Sequence, residues 1–385
     1  MAGTARPDRH PSSTGGRSIV AAADQDPGAG PAATGEQSLV FVLGPGRSGT
    51  STMAGALSYS GYTVPQAIKG NETNPSGFFE PRWVVNFHRR LLRASGVRPL
   101  DTNPDVLKRL QKSLADQAVR DELHDWLAPR LEKHGRLVIK DPRMVWFRDL
   151  WVHAAERVGV DPRFVIMLRH PAEVSSSRSS YYNSSEVPAV AGWINVALMT
   201  EKLTAGSARS LVHYPNLTSD WRTELVRLRD DLGLPLTPEP EEKPHPVDDF
   251  IDPKLRRMKP GWSEESSVPP HLQLLGDRTF DALGELAEHG ESDETAGKLE
   301  VLRHEYARAH AVALSMVQPT VRRARNEAAA RARKGVRVRA RARLEKQLEA
   351  NGPTRGPSLP GRVVRRLRAG LQRRTDQGRT GPREG

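Results

Sequence analysis

Residues 38–43 (SLVFVL) form a short apolar run that stops on a glycine, and that glycine opens the segment GPGRSGTS at residues 44–51. The run has the length of a buried strand, and the small and apolar residues at 50–60 suit a helix directly after the turn. A strand answered at once by a helix commits the chain to crossover connections and hence to parallel pairing. Three further apolar runs supply partners, at 137–140 (LVIK), 164–168 (FVIML) and 210–214 (SLVHY), each separated by enough chain for a helical crossover. Helix-compatible patterns fall between them at 82–94, 105–133, 150–158 and 190–203, and a last one at 219–232 opens with a Ser or Asp cap. The predicted fold class is therefore α/β: a three-layer α/β/α domain around a central parallel sheet, with a helical C-terminal extension.

The 385 residues exceed one typical domain, and the ends differ from the middle. Residues 1–37 are rich in Gly, Ala, Pro, Ser, Asp and Arg without apolar periodicity, which predicts a disordered leader rather than a secretory signal. All seven tryptophans lie between Trp83 and Trp262 and no aromatic follows Tyr306, so the core is expected in the middle of the chain. The reading is a catalytic domain at 38–262, with a Pro- and acid-rich connection at 235–246. A helical extension packing on it is expected at 263–319, then a basic Ala/Arg-rich tail at 320–385, helical in part and then disordered.

Charge follows the same division. Residues 320–385 carry 20 Lys and Arg against 5 Asp and Glu, a local +15 in a chain of net +12, so the remainder is about −3. The absence of cysteine excludes disulfides, thiolate nucleophiles and cysteine metal sites together. No window approaches the roughly 18 consecutive apolar residues needed to span a bilayer. A cytoplasmic protein is expected, touching the inner face of the membrane at most peripherally.

The segment at 44–51 is a P-loop-like turn with one substitution that decides its chemistry. Glycines let backbone N–H groups curl around an anion without a Cβ in the way, and the following helix N-terminus adds positive potential. A loop for nucleoside triphosphates reads GxxxxGK[ST]; here Gly49 is followed by Thr50, so the lysine that reaches the β- and γ-phosphates is missing. The cation is Arg47 instead, whose rigid fork suits an anionic group on which charge builds. Gly46, Ser48, Gly49, Thr50 and Ser51 supply the remaining N–H and hydroxyl donors.

With these residues in place, the chain resembles the 3′-phosphoadenosine 5′-phosphosulfate (PAPS)-dependent sulfotransferases, particularly the bacterial and carbohydrate-type branch, in which PxxRSGTS or a close variant is the 5′-phosphosulfate loop. A second block at 164–177 (FVIMLRHPAEVSSS) resembles that family's 3′-phosphate motif RxPxxxxxS and gives Arg169 and Ser177 its two anion-binding positions. The resemblance covers roughly residues 38–262 and implies PAPS as donor, adenosine 3′,5′-bisphosphate as product and no metal. It further implies that Lys140, in LVIKDPR, stabilises charge on the bridging oxygen, although a lysine merely ending a strand fits the same position. Tyr214, in a Y-x-x-L segment with Leu217, and Arg256 and Arg257, in FIDPKLRRMK, resemble residues near the nucleotide and over its 3′-phosphate.

In-line transfer to a hydroxyl requires a base. The cytosolic small-molecule branch places a histidine two positions after the strand lysine, and this chain has Pro142 there. Carbohydrate-type members use glutamate, and Glu80, in NPSGFFEP at 74–81, is the matching candidate, with Glu72 and His88 as competitors. Glu80 also fits an acid at the N-terminus of the 82–94 helix, and Asp141 fits a structural partner for Arg143. The catalytic assignment is thus Arg47, Lys140 and Glu80, and the acceptor is a carbohydrate, glycolipid or other small hydroxyl compound.

Two rival readings remain open at this point. A P-loop kinase, nucleotidase or other nucleotide-binding protein using ATP and magnesium shares the strand-loop-helix logic but should carry the loop lysine. The other rival is a binding protein acting through the basic tail, with a degenerate α/β domain. Residues 321–350 and the short RVVRRLRAGL at 362–371 suit an anionic membrane surface, and the tail lacks the aromatics that stack on bases, so no specific nucleic acid is expected.

Overall fold

The computed structural model describes residues 37–71, 74, 77–182, 185–252 and 261–350, with backbone alone at 181, 182, 344, 345 and 347–350. The chain divides into two compact units, residues 1–313 and 314–385.

In the first unit, β1 (Ser38–Leu43) lies between β2 (Arg136–Lys140) and β3 (Arg163–Leu168), and β4 (Arg209–His213) pairs with β3, giving the parallel order β2-β1-β3-β4. Register pairs Ser38 with Arg136, Val40 with Arg163 and Phe164 with Arg209. The strand period of two then sorts side chains to opposite faces. Leu39, Phe41, Leu43, Phe164, Ile166 and Leu168 join one buried cluster, whereas Val40, Val42, Val165 and Met167 join another.

Helices cover both faces, because every strand is apolar on both sides. On the Val40 face sit α1 (Thr50–Ser58), α8 (Tyr214–Ser219), α9 (Trp221–Leu232) and the short α10 (Pro246–Phe250). The Phe41 face takes α2 (Arg82–Ser95), α3 (Val106–Ala115), α4 (Gln117–His134), α5 (Arg148–Arg157), α7 (Glu186–Thr204) and α11 (Pro270–His289). Phe41 meets Trp151 and Phe164 with ring centroids at 5.4 and 5.6 Å. A fully buried ring of this kind contributes roughly 1.5–3 kcal/mol. The three-layer α/β expectation holds.

Local boundaries differ in instructive ways. The single helix expected at 105–133 is two, because Asp116 is extended and its carboxylate accepts the Ala118 N–H, capping α4 instead of continuing α3. The strand expected to end at Tyr214 ends at His213, and Tyr214 begins α8 with Pro215 behind it. Asp220, one of the two expected caps, accepts the Thr223 N–H at the head of α9. Strands β2, β3 and β4 each begin one residue before the apolar run, on an arginine.

One of these arginines anchors a buried ion network. Arg209 donates to the Glu201 backbone at 2.6 Å and pairs with its carboxylate at 3.3 Å, and Arg303, near the start of α12 (Asp293–Ala350), reaches the same carboxylate at 2.5 Å. With Leu299, Leu302 and Tyr306 buried, this fixes the first turns of α12 in the first unit. In the second unit, residues 314–343 are helical and almost wholly exposed. No helix among the described residues is long and apolar enough to cross a membrane.

Candidate active site

All four strands end at one edge of the sheet, and each delivers a candidate residue there: the 44–51 loop after β1, Lys140 at the end of β2, Arg169 after β3 and Tyr214 after β4. Ligands in open parallel sheets bind at this carboxyl edge.

The loop turns through Gly44 (φ 135°), Arg47 (φ 80°) and Gly49 (φ 91°). A Cβ on Gly49 would stand 2.1 Å from Tyr214 Cδ2, so only glycine lets α1 begin against that ring. Arg47 occupies the left-handed region without being glycine, a strain of order 1–3 kcal/mol. Its surroundings hold it there. The Arg47 carbonyl accepts from Arg169 Nη1 at 3.2 Å, and Arg47 Nε donates to Ser177 Oγ at 3.0 Å. Two motifs 130 positions apart in the chain thus meet directly.

The loop has the features an anion would need. Helix α1 has no side-chain cap among the described residues and no acid in its first turn, which leaves its positive end open to a ligand. Ser48 is fully buried and its hydroxyl finds no hydrogen-bond partner among the described residues. A buried hydroxyl left this way costs about 1–3 kcal/mol, a deficit that a phosphate oxygen in the loop would remove. The donor set fits a phosphate group.

On the neighbouring side, Arg169 is clamped by Glu173 (Nε to Oε2, 3.0 Å) and lies 4.5 Å over the Tyr214 ring. Ser177 is buried in α6 (Pro171–Tyr182), two turns past the Pro171 start. Burial pushes the Tyr214 phenol above its usual range, against the Arg169 charge that lowers it. Tyr214 is thus held in its un-ionised form, as a flat support for Arg169.

The third part of the site faces α1 from β2. Lys140 shares the sheet face of Val138, which points it at the first turn of α1. Its ammonium donates to Ser51 Oγ at 3.2 Å, to the Phe78 carbonyl at 3.3 Å and to Glu80 Oε1 at 2.6 Å. Glu80 arrives from an irregular hairpin in which Ile68 N–H donates to the Glu80 carbonyl and Arg82 N–H to that of Gln66. Gly77 and Phe79 take positive φ there. The carboxylate that sequence placed either at a base position or on the α2 N-terminus is turned to Lys140, with Arg143 Nη1 4.0 Å from its other oxygen.

His88 has both ring nitrogens engaged. Trp151 Nε1 donates to His88 Nε2 at 2.9 Å, and an indole N–H is only a donor, so the His88 proton sits on Nδ1 and goes to Asp141 Oδ2 at 3.1 Å. This competitor for the base role is enclosed in the core, stacked on Phe147 at 4.7 Å. Asp141 is buried, which by itself raises its carboxyl; the hydrogen bond from His88 and the Arg143 charge outweigh this and hold it below the ordinary 3.8. A lowered folded value means the unfolded chain binds more protons in this range. The stabilisation is therefore complete above the unfolded value and is lost as pH falls below about 4. Urea unfolding followed across pH 2–6 is expected to show this loss in the wild type and a flatter dependence in Asp141→Asn, which starts less stable.

Of the residues singled out in sequence, Gly46, Arg47, Ser48, Gly49, Thr50, Ser51, Lys140, Glu80, Arg169, Ser177 and Tyr214 converge on this edge. Arg256, Arg257 and Glu72 lie outside the described residues. Sequence reasoning passed over Asn74 as an individual residue; its amide donates to Ser51 Oγ at 3.3 Å and to the Gly77 carbonyl at 2.6 Å, pinning the hairpin to the loop. Gly55 was also passed over. A Cβ there would meet Phe250 at 2.2 Å and Phe79 at 3.0 Å, so its lack of side chain lets both rings close on α1.

Fold and site together define an α/β protein whose glycine-rich loop after β1 has Thr50 in place of the loop lysine, carries Arg47, and touches an arginine–serine pair beside it. The sulfotransferase family model matches residues 39–238, more than half of the 385, and the chain belongs to that family of enzymes.

Among solved structures, the sulfotransferase domain of the Synechococcus PCC 7002 olefin synthase is similar at 18% identity, TM-score 0.38, over 66% of this chain and 97% of that one. The sulfotransferase domain of the curacin biosynthetic pathway follows at 13% identity, TM-score 0.34, over 69% and 97%. Sulfotransferase STF1 from Mycobacterium tuberculosis H37Rv is similar at 16% identity, TM-score 0.32, over 58% and 76%. Superpositions this loose add nothing to the family match. No curated protein matches the chain.

Proposed function

We propose that the chain transfers sulfonate from PAPS to a hydroxyl of a carbohydrate, glycolipid or other small acceptor. The observation that supports this reading is the 3.0 Å hydrogen bond from Arg47 Nε to Ser177 Oγ, since a nucleotide phosphorylated on both its 5′ and 3′ sides calls for a loop and an arginine–serine pair in contact. An ATP-binding loop has no use for the second site.

PAPS supplies a sulfonate on a phosphate leaving group. In this assignment Gly46, Ser48, Gly49, Thr50 and Ser51 hold the 5′-phosphate with Arg47. Arg169, backed by Tyr214, and Ser177 hold the 3′-phosphate, and by resemblance Arg256 and Arg257 close over it. Glu80 takes the proton of the acceptor hydroxyl as its oxygen bonds to sulfur. The bond from sulfur to the 5′-phosphate oxygen breaks with its electron pair, and Lys140 and Arg47 balance the charge left there. The products are a sulfate ester and adenosine 3′,5′-bisphosphate.

Calorimetry with adenosine 3′,5′-bisphosphate tests the donor. Arg47→Ala and Arg169→Ala are each expected to weaken binding about 10–100-fold, the scale of a charged hydrogen bond of roughly 1.5–3 kcal/mol. Wild-type affinity in both variants, or thermal stabilisation by ATP and magnesium but not by the bisphosphate, would sink the assignment and favour a kinase.

At 3.6 residues per turn, Arg322, Arg331, Arg337 and Arg339 point in four directions, so the helix over 314–343 is basic on all sides. Such a helix suits electrostatic attraction to an anionic surface, as at the inner face of a membrane, more than insertion. Vesicles containing phosphatidylserine are expected to co-sediment the full chain at low salt and to lose most of it on deletion of residues 320–385 or in high salt. Equal sedimentation of both forms would refute this.

A further inference from the structure

Four side chains of the first unit form a relay that runs from the core to Glu80. Trp151 donates to His88, His88 donates to Asp141, and Asp141 Oδ1 accepts both Arg143 Nη1 and the Arg143 backbone N–H at 2.8 Å. Arg143 Nη1 then lies 4.0 Å from Glu80 Oε2. His88 and Asp141 are fully buried, and none of the four has a part in the proposed chemistry. A buried carboxylate is costly where an apolar side chain of similar volume would pack as well, so what it holds in place matters.

We infer that this relay is a positioning device for the base, and the inference rests on the reading of Glu80 as that base. Glu80 has two cationic neighbours, one on each oxygen. Lys140, on Oε1, is the group assigned to the leaving phosphate oxygen, and when it serves there Glu80 loses its closest partner. Arg143 cannot follow, because Asp141 fixes both its backbone and its guanidinium. It therefore keeps Glu80 aimed at the acceptor while Lys140 is engaged. The Arg143 Nε is buried without a hydrogen-bond partner among the described residues, so Asp141 sets the orientation of the guanidinium plane.

A double-mutant cycle separates this from a structural role. The probe is PAPS with water as acceptor, read as release of labelled inorganic sulfate. Arg143→Ala is expected to slow release by about 10–100-fold in the wild-type background and by less than about 2-fold in Glu80→Gln, since it acts only through that carboxylate. Trp151→Phe, which removes the far N–H together with part of a buried ring, is expected to follow the same pattern with a smaller loss.

Two further readouts do not depend on turnover. All variants should bind adenosine 3′,5′-bisphosphate as the wild type does, and Arg143→Lys substitutes for Arg143→Ala if the alanine variant does not bind. Nitrogen NMR of the histidines should show His88 protonated on Nδ1 in the wild type. Equal losses in both backgrounds would overturn the relay and leave Glu80 standing. Glu80→Gln as fast as wild type would overturn both readings, and a His88 protonated on Nε2 would break the relay by itself.

Discussion

Glu80→Gln is expected to slow sulfonate transfer by about 10³-fold, within the range of a lost general base, while adenosine 3′,5′-bisphosphate binds within about 2-fold of the wild type. The split follows from where the carboxylate sits. Its partners are Lys140 and Arg143, whereas Arg47, Arg169 and Ser177, three of the groups assigned to the nucleotide phosphates, bond to one another without it. Glutamine keeps the shape and an oxygen for Lys140 but cannot take up a proton. The measurement is single-turnover transfer of labelled sulfonate beside calorimetry of the product nucleotide. If Glu80 serves only to hold Lys140, turnover should stay within about 10-fold of wild type and Lys140→Met should be the more damaging change.

The parallel sheet was legible because its strands are short apolar runs with no competing helical period, as in 38–43 and 164–168. The phosphate loop was legible for a related reason: its donors are consecutive, so spacing alone carries the geometry. What escaped depends on the third dimension. Asp116 reads as one more polar residue of a long helix, and only its extended backbone makes it a cap. Its neighbours have ordinary helix formers on both sides, so propensity gave no warning.

The acid–base side of the site was only half legible. Glu80 and Ser51 lie 60 and 89 positions from Lys140 yet both accept from it, and no local pattern encodes that meeting. His88 looked like a competitor for the base because a histidine in sequence carries no record of its partners. Its indole donor, Trp151, lies 63 positions away on α5. Asp141 was visible as a partner for Arg143, two positions on, since that bond is local. Its second partner was not. The sheet edge therefore assembles from one readable loop and several side chains whose roles exist only once the strands align.

The 44–51 loop supplies the other large effect. Gly49→Ala is expected to destabilise the first unit by at least about 3 kcal/mol, in the range of severe point changes, and to abolish measurable binding of adenosine 3′,5′-bisphosphate. The new Cβ would stand 2.1 Å from Tyr214 Cδ2 at a φ of 91°. The dihedral alone costs an alanine roughly 1–2 kcal/mol. The steric conflict is worse, because the ring cannot retreat freely: it carries the Arg169 guanidinium 4.5 Å above it, and Arg169 in turn holds the Arg47 carbonyl. One methyl group thus disturbs both proposed anion sites. Gly46→Ala is the control, since its Cβ would make an ordinary 3.7 Å contact with Pro142, and stability should change by less than about 1 kcal/mol. Combining Gly49→Ala with Tyr214→Ala removes the clash but not the dihedral strain. Denaturant midpoints should then recover in part, while nucleotide binding stays weak because Arg169 has lost its support. Full recovery of binding in the double variant would show that Tyr214 only fills space.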